Sequence, residues 1–236
     1  MIELFPAGFE EVEREGELEL AVYTDGSGDE RLEQAFGGAC ARDVDEGWHD
    51  RWRSFHRPVR IGPLWVGPPW EEPASDAVAV VIDPGRAFGT GAHATTRLCL
   101  HFLLELERGS VLDVGCGSGV LAIAAAKLGF SPVMAVDHDP LAVEATMRNA
   151  ALNGVEIDVR RGDALERPLP SSHVAVANID LARTQALASR VDAAHVVTSG
   201  YLMAAEPPLR GYEHRGRRCE GGWAADLFGR PQPARG

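Results

Sequence analysis

Three glycines alternate with other residues in the stretch LDVGCGSG, at Gly115, Gly117 and Gly119, and Asp113 stands two residues before the first. A strand pattern precedes them and a helix pattern follows. Glycines at such a turn let the backbone approach a ligand and leave the helix N-terminal N–H groups free to meet it. The spacing is G-x-G-x-G, whereas the dinucleotide fingerprint is G-x-G-x-x-G. No Lys followed by Ser or Thr is present, so the loop is not a phosphate-binding loop. Asp137 ends the next predicted strand, where a carboxylate can accept hydrogen bonds from both hydroxyls of a ribose. Asp163 follows the third strand and could reach an adenine amino group. Asn178 ends the fourth. Ligands in sheets of this type bind outside the carboxyl ends of the strands. The glycine loop with Asp113, Asp137, Asp163 and Asn178 is therefore expected to line one crevice.

A second glycine-rich stretch, DPGRAFGTGAHATT, runs from Asp83 to Thr96. It combines three glycines, a lone Phe and a run of small polar residues, a composition suited to lying against a ligand. The first loop is read as the one that holds the ligand, and this one as its cover.

The elements that must position these residues follow from periodicity. AVAVVIDPG (Ala77 to Gly85) predicts a strand running into the covering loop, and Thr96 to Glu107 has helical spacing. From Val111 strands and helices alternate: VLDV, then the helix GVLAIAAAKLG; VMAVD, then the helix PLAVEATMRNAALNG stopped at Asn153–Gly154; then EIDVRRGD, HVAVAN and HVVTSG. Such alternation argues a parallel, doubly wound α/β sheet. EHRGRRCEGGWAADLFG predicts an antiparallel C-terminal hairpin turning at Gly221–Gly222. Residues 1–56 read as a small α/β domain with a strand over Leu18 to Thr24 and a helix over DERLEQAFGG. The Trp- and Pro-rich residues 57–76 read as a stiff linker around a short strand. Residues 77–236 form the main domain.

Composition narrows the class. The 236 residues are enough for one large domain or two small ones. No apolar run approaches the roughly 18 residues of a membrane span, and the acidic first residues do not resemble a signal peptide. A cytoplasmic location is expected. Net charge is −12, which disfavours direct nucleic-acid binding and suits a basic protein partner. The four cysteines and eight histidines are scattered, so neither a disulfide framework nor a metal site is expected.

The run Asp113 to Gly119, D-x-G-x-G-x-G, with an acid ending the second strand resembles the S-adenosylmethionine-dependent methyltransferases of Rossmann-like fold. DPGRAFGTGAHATT, VLDVGCGSGVLAIAAAKLG, VDHDPLAVEATMRNAALNG and VANI together look like the bacterial ribosomal protein L-11 methyltransferase family. LWVGPPW and GGWAADLFGR match in kind, and the resemblance spans roughly residues 45 to 230. It implies S-adenosylmethionine as cofactor, bound by Thr96, Gly115, Asp137 and Asn178. Phe88 and the run Gly89–Thr90–Gly91 would flank the methyl donor. Glycines there allow close approach or motion, and Phe88 either faces the sulfonium through a cation–π contact or anchors the core. His93 is expected to fix the loop by hydrogen bonds, Cys116 to be a small residue in a tight turn, and His138 to edge the adenine pocket.

The chemistry so implied is N-methylation of a protein, at lysine or α-amino groups, with ribosomal protein L-11 as substrate. The nucleophile must be an uncharged amine, although lysine has a pKa of about 10.4 and an α-amine about 8. It must sit roughly 3 Å from the methyl, in line. The side-chain carbonyl of Asn178 suits the aiming of such an amine. Asp180 takes a place that is usually apolar in the family; it draws in or deprotonates the amine, or it caps the next helix. The first domain looks shortened against the family's, which bears on the substrate. The rival readings are a lysine methyltransferase of another protein, a small-molecule methyltransferase, and a cofactor-binding interaction module without catalysis.

Overall fold

The computed structural model describes residues 10–14, 17–21, 33–34, 56–84 and 91–231. The chain divides into two compact units, Met1–Phe55 and His56–Gly236. In the first, β1 (Glu10–Arg14) and β2 (Glu17–Ala21) pair antiparallel, with Arg14 opposite Glu17. The alternation of LELAVYT foretells β2. It misses β1, because EEVER is charged at every position but Val12. Of the helix expected over DERLEQAFGG, Glu33 and Gln34 are described and helical; the rest lies outside the described residues.

The second unit is built on a seven-stranded sheet in the order β11-β12-β10-β9-β6-β7-β8. The strands are β6 (Val111–Val114), β7 (Val133–Asp137), β8 (Asp158–Arg161), β9 (Ser172–Asn178), β10 (Ala193–Leu202), β11 (Glu213–Glu220) and β12 (Trp223–Gly229). Only β12 is reversed, antiparallel to β10 on one side and β11 on the other. Among the described residues of this unit the helices are α1 (Ala94–Glu105), α2 (Val120–Lys127), α3 (Pro140–Asn153) and α4 (Leu181–Leu187). Side chains alternate across the central strands, as strand geometry requires. Val111, Val174 and Val176 face Leu98, Phe102, Leu121 and Ile123 of α1 and α2. Leu112, Val114, Ala175 and Ala177 face the opposite cluster with Leu187, Leu209 and Phe228. Both faces are covered, which is why β6 is apolar enough to be buried at all four positions.

A smaller sheet completes this unit: β3 (Val59–Ile61) antiparallel to β4 (Leu64–Gly67), and β4 parallel to β5 (Val78–Val81). The stretch 57–76, expected as a linker around a short strand, thus contributes two strands. Its Ile61, Leu64 and Val66 are buried in the cluster of α1 and α2. The prolines that suggest a linker, Pro58, Pro63, Pro68 and Pro69, all lie just outside the strands, where no ladder N–H is needed.

Two buried asparagines four residues apart tie β5 and the segment after it to α3. Asn153 Oδ1 accepts the Val81 N–H at 2.9 Å, and its Nδ2 donates to the Val81 carbonyl at 2.6 Å. Asn149 Oδ1 accepts the Asp83 N–H at 3.0 Å, and its Nδ2 donates to the carbonyl of Ser118 in the glycine loop. These amides do for β5 what a neighbouring strand would do. They link the root of the covering stretch to the glycine loop. Among the described residues no helix is long and apolar enough to cross a membrane.

Candidate active site

A crevice of about 240 Å³ opens at the carboxyl ends of β6, β7 and β9, with Thr96 of α1 on its wall. Six of the expected residues meet there: Thr96, Gly115, Gly117, Asp137, Asp163 and Asn178. Phe88, Gly89 and Thr90 lie outside the described residues. Gly91 is not on the wall. It packs on β4, where an added Cβ would come 2.4 Å from Val66 Cγ1. Gly119 also stands back, between α2 and α3, where a Cβ would meet Thr146 Cγ2 at 2.8 Å.

Asp113 lies beneath the loop rather than in the crevice. The period of two along β6 turns it, with Val111, toward α2. It is 1% exposed, and its Oδ2 accepts the Ala122 N–H at 3.1 Å. Its Oδ1 is buried with no hydrogen-bond partner in the described structure. Burial pushes its pKa up to about 7, the Ala122 N–H opposes that rise, and the nearby Asp137 charge adds to it. Asp113 thus anchors the start of α2 and sets the potential under the loop.

Asp137 sits at the end of β7 with both oxygens engaged. Oδ2 accepts the Gly117 N–H and Oδ1 the Asp139 N–H, each at 3.0 Å. Each carboxylate oxygen has a second lone-pair direction, so two ligand hydroxyls can still be accepted. His138, largely exposed, edges the crevice beside it. Asp163 uses Oδ1 to hold its own turn through the Leu165 N–H at 2.8 Å. Cys116 is a small buried residue of the turn, as expected. Its Sγ accepts from the Thr146 hydroxyl at 3.2 Å, and burial pushes the thiol pKa up, so it is no nucleophile.

Asn178 is held by α1. Its Nδ2 donates to Thr95 Oγ1 at 3.1 Å and to Thr96 Oγ1 at 3.4 Å, so Oδ1 is the atom left for the crevice. His93 caps α1, its Nδ1 accepting the Thr95 N–H at 3.4 Å and lying 2.7 Å from Thr95 Oγ1. Thr95, Ile179, Leu165 and Arg183 belong to this neighbourhood and are missed by reading the sequence. The only signal for Thr95 is its place beside Thr96 at a helix start.

Asp180 caps α4. Its Oδ1 accepts the Arg183 N–H at 2.9 Å, and its Oδ2 pairs with Arg183 Nη1 at 2.6 Å. Both oxygens hold the start of α4, which is the geometry of the helix-capping alternative. Asp180→Asn is expected to be nearly silent. Asn caps about as well as Asp, and the ion pair it loses is about half exposed on both sides and contributes little. Superimposable pH–rate profiles for the two proteins are the check; a selective loss near neutral pH would restore a catalytic role.

The family model described as ribosomal protein L11 methyltransferase (PrmA) matches residues 22–205. The ribosomal protein L11 methyltransferase of Legionella pneumophila (strain Lens) is 43% identical over 178 residues, covering 70% of this chain and 61% of that protein. That of Symbiobacterium thermophilum is 49% identical over 140 residues, 57% of this chain and 46% of that protein. The chain thus spans about three fifths of the length of the first of these relatives and less of the second. The solved ribosomal protein L11 methylase of Lactobacillus delbrueckii subsp. bulgaricus superposes with a TM-score of 0.66 at 30% identity, covering 75% of this chain and 100% of that one. With a family model matching over three quarters of its length, and the sheet order and crevice in place to house the matched motifs, this chain belongs to the ribosomal protein L11 methyltransferase family.

Proposed function

We propose that the protein is a protein N-methyltransferase that uses S-adenosylmethionine to methylate lysine or α-amino groups, with ribosomal protein L11 as its substrate. One observation carries this reading. The Nδ2 of Asn178 is turned inward to Thr95 and Thr96, which leaves a carbonyl oxygen at the crevice for an incoming amine. Within this reading residues 1–56 serve substrate recognition and 77–236 methyl transfer, with 57–76 packed on the latter. The acidic surface suits a basic protein partner.

The donor set fits the cofactor. Asp137 offers two lone-pair directions to ribose hydroxyls. The loop at Gly115 and Gly117 brings backbone close, and the apolar Leu165 and Leu187 line the crevice. When bound, the cofactor supplies a methyl group made electrophilic by a sulfonium, open to in-line attack. Asn178 Oδ1 accepts an N–H of the amine and aims the nitrogen lone pair at the methyl. An acceptor at that position favours the neutral amine's approach and costs no reorganisation as charge moves. Asp113, beneath the loop, adds negative potential when ionised, and a cationic ligand above it would draw its pKa back down.

S-adenosylmethionine is expected to raise stability by about 2.7 kcal/mol at one hundred times its dissociation constant. Asp137→Ala should weaken binding, since the ribose loses its acceptor. Thermal shifts with S-adenosylmethionine and with NAD decide the matter: stabilisation by NAD alone would overturn the cofactor assignment. Labelled cofactor incubated with undermethylated ribosomal protein should then place the label on L11, and label only elsewhere would overturn the substrate.

A further inference from the structure

We infer that His93 sets the orientation of the Asn178 side-chain amide, acting through the hydroxyl of Thr95. The inference rests on the reading of Asn178 as the amine acceptor, and it makes His93 a positioning residue that never touches substrate. An asparagine amide can sit either way round, because its oxygen and nitrogen have the same shape. Something must ensure that nitrogen faces α1 and oxygen faces the crevice.

The hydrogen-bond directions supply that lock in order. A backbone N–H can only donate, so the Thr95 N–H makes His93 Nδ1 an acceptor. Imidazole with Nδ1 as acceptor carries its proton on Nε2. The Thr95 hydroxyl, 2.7 Å from that same Nδ1, therefore points its proton at His93. Only lone pairs of Thr95 Oγ1 then face Asn178, and only Nδ2 can meet them. The reversed amide would set Asn178 Oδ1 against a lone pair at 3.1 Å and present a donor to the incoming amine.

The lock holds while His93 is neutral. Burial lowers its pKa, and the Arg97 cation one turn along α1 lowers it further. Arg97 is itself paired with Glu220 of β11 at 2.7 Å. From β12 the uncharged Trp223 ring meets His93 edge-on, 4.9 Å between centroids. Protonation makes Nδ1 a donor and frees the Thr95 proton to be given to Asn178 Oδ1. The locked orientation is then lost. The expected sense is loss of the productive amide as pH falls, at a midpoint below the ordinary histidine value of 6.5.

The test reads the amide directly. Side-chain amide signals of Asn178, assigned by their loss in Asn178→Asp, are followed by nitrogen-15 NMR over about pH 5 to 8 in the wild type, His93→Asn and Thr95→Val. Asn keeps the helix cap and a non-titrating acceptor. The wild-type signals should move through one ionisation below the ordinary histidine range, and both variants should be flat. Signals that move alike in all three proteins, or do not move in the wild type, overturn the inference. Kinetics give a second readout. Deprotonation of the substrate amine contributes one ionisation to the rise of kcat/KM with pH in every protein. Asp113, whose pKa burial raises to about 7, contributes alike in every protein, so the wild type should show one further ionisation, below the ordinary histidine value, that His93→Asn lacks. Thr95→Val should lower kcat about tenfold, the value of one orienting hydrogen bond, with little change in cofactor affinity. The two failures are separable. Methyl transfer with an amide that does not titrate sinks the lock and spares the proposed function. A titrating amide without methyl transfer does the reverse.

Discussion

Asn178→Ala is expected to lower turnover about 10²-fold or more, with a much smaller change in affinity for S-adenosylmethionine. The substitution removes the side-chain carbonyl proposed to meet the approaching amine, a preorganised contact that would strengthen as the nitrogen becomes cationic. An interaction made at the transition state is lost from kcat, whereas one made uniformly is lost from binding. Asp137 and the loop backbone, which carry most of the proposed cofactor contacts, are untouched. The Thr95 and Thr96 hydroxyls lose a donor, but Asn178 is only half-buried, so water can enter. Steady-state turnover beside calorimetric binding separates the cases. An equal loss in both, or a loss in binding alone, would make Asn178 a cofactor ligand without a role in aiming the amine.

Gly200→Ala is expected to be among the most damaging single changes in the second unit. Gly200 has φ of +103° and sits at the register shift in β10 between Ser199 and Tyr201. A Cβ there would lie 2.1 Å from the carbonyl oxygen of Ile179 and 2.6 Å from its carbon. Both are backbone atoms, so no side chain can swing aside. The Ile179 N–H also donates to the Ser199 carbonyl at 3.0 Å, which means the bulge clasps the residue after Asn178. The backbone strain and the clash together should destabilise by about 3 kcal/mol, a fall in Tm of roughly 6–12 °C for a unit of this size. Cofactor affinity should fall with it, because Ile179 lines the crevice. Gly154→Ala is the control. Its φ is +62° with nothing within 4 Å of the added Cβ, so it carries strain alone, roughly 1–2 kcal/mol. Equal Tm losses for the two variants would show that the Ile179 backbone can yield, and the clash argument would fail.

Much of this arrangement can be read in the chain. Strand and helix alternation from Val111 onward carries the parallel sheet, because the central strands β6 and β9 are covered on both faces and are therefore mostly apolar. Asn153–Gly154 ends α3 where expected, with Gly154 in the left-handed conformation. Asp137 and Asn178 are placed by a rule of topology: a polar residue ending a parallel strand faces the crevice. Boundaries shift for local reasons. The helix expected from Thr96 begins at Ala94, because His93 serves as its cap, and histidine is a weak capping signal in sequence.

The tertiary structure alone decided which way each polar side chain turned. Asp113 stands one residue before the end of its strand and Asp137 at the end of its own, and Asp113 faces α2 whereas Asp137 faces the crevice, according to the strand register of each. Asp180 is caught between two roles in sequence, and only the fold shows its carboxylate capping α4 and pairing with Arg183. Asn149 and Asn153 look like ordinary polar residues of a helix end. Only the approach of Val81 and Asp83, 66 to 72 residues earlier in the chain, makes them structural. Thr95 and His93 acquire meaning in the same way, when β9 brings Asn178 beside them across 83 residues of sequence. Periodicity is a local property and survives in a one-dimensional string. Hydrogen-bond direction depends on partners that the chain brings together only when it folds.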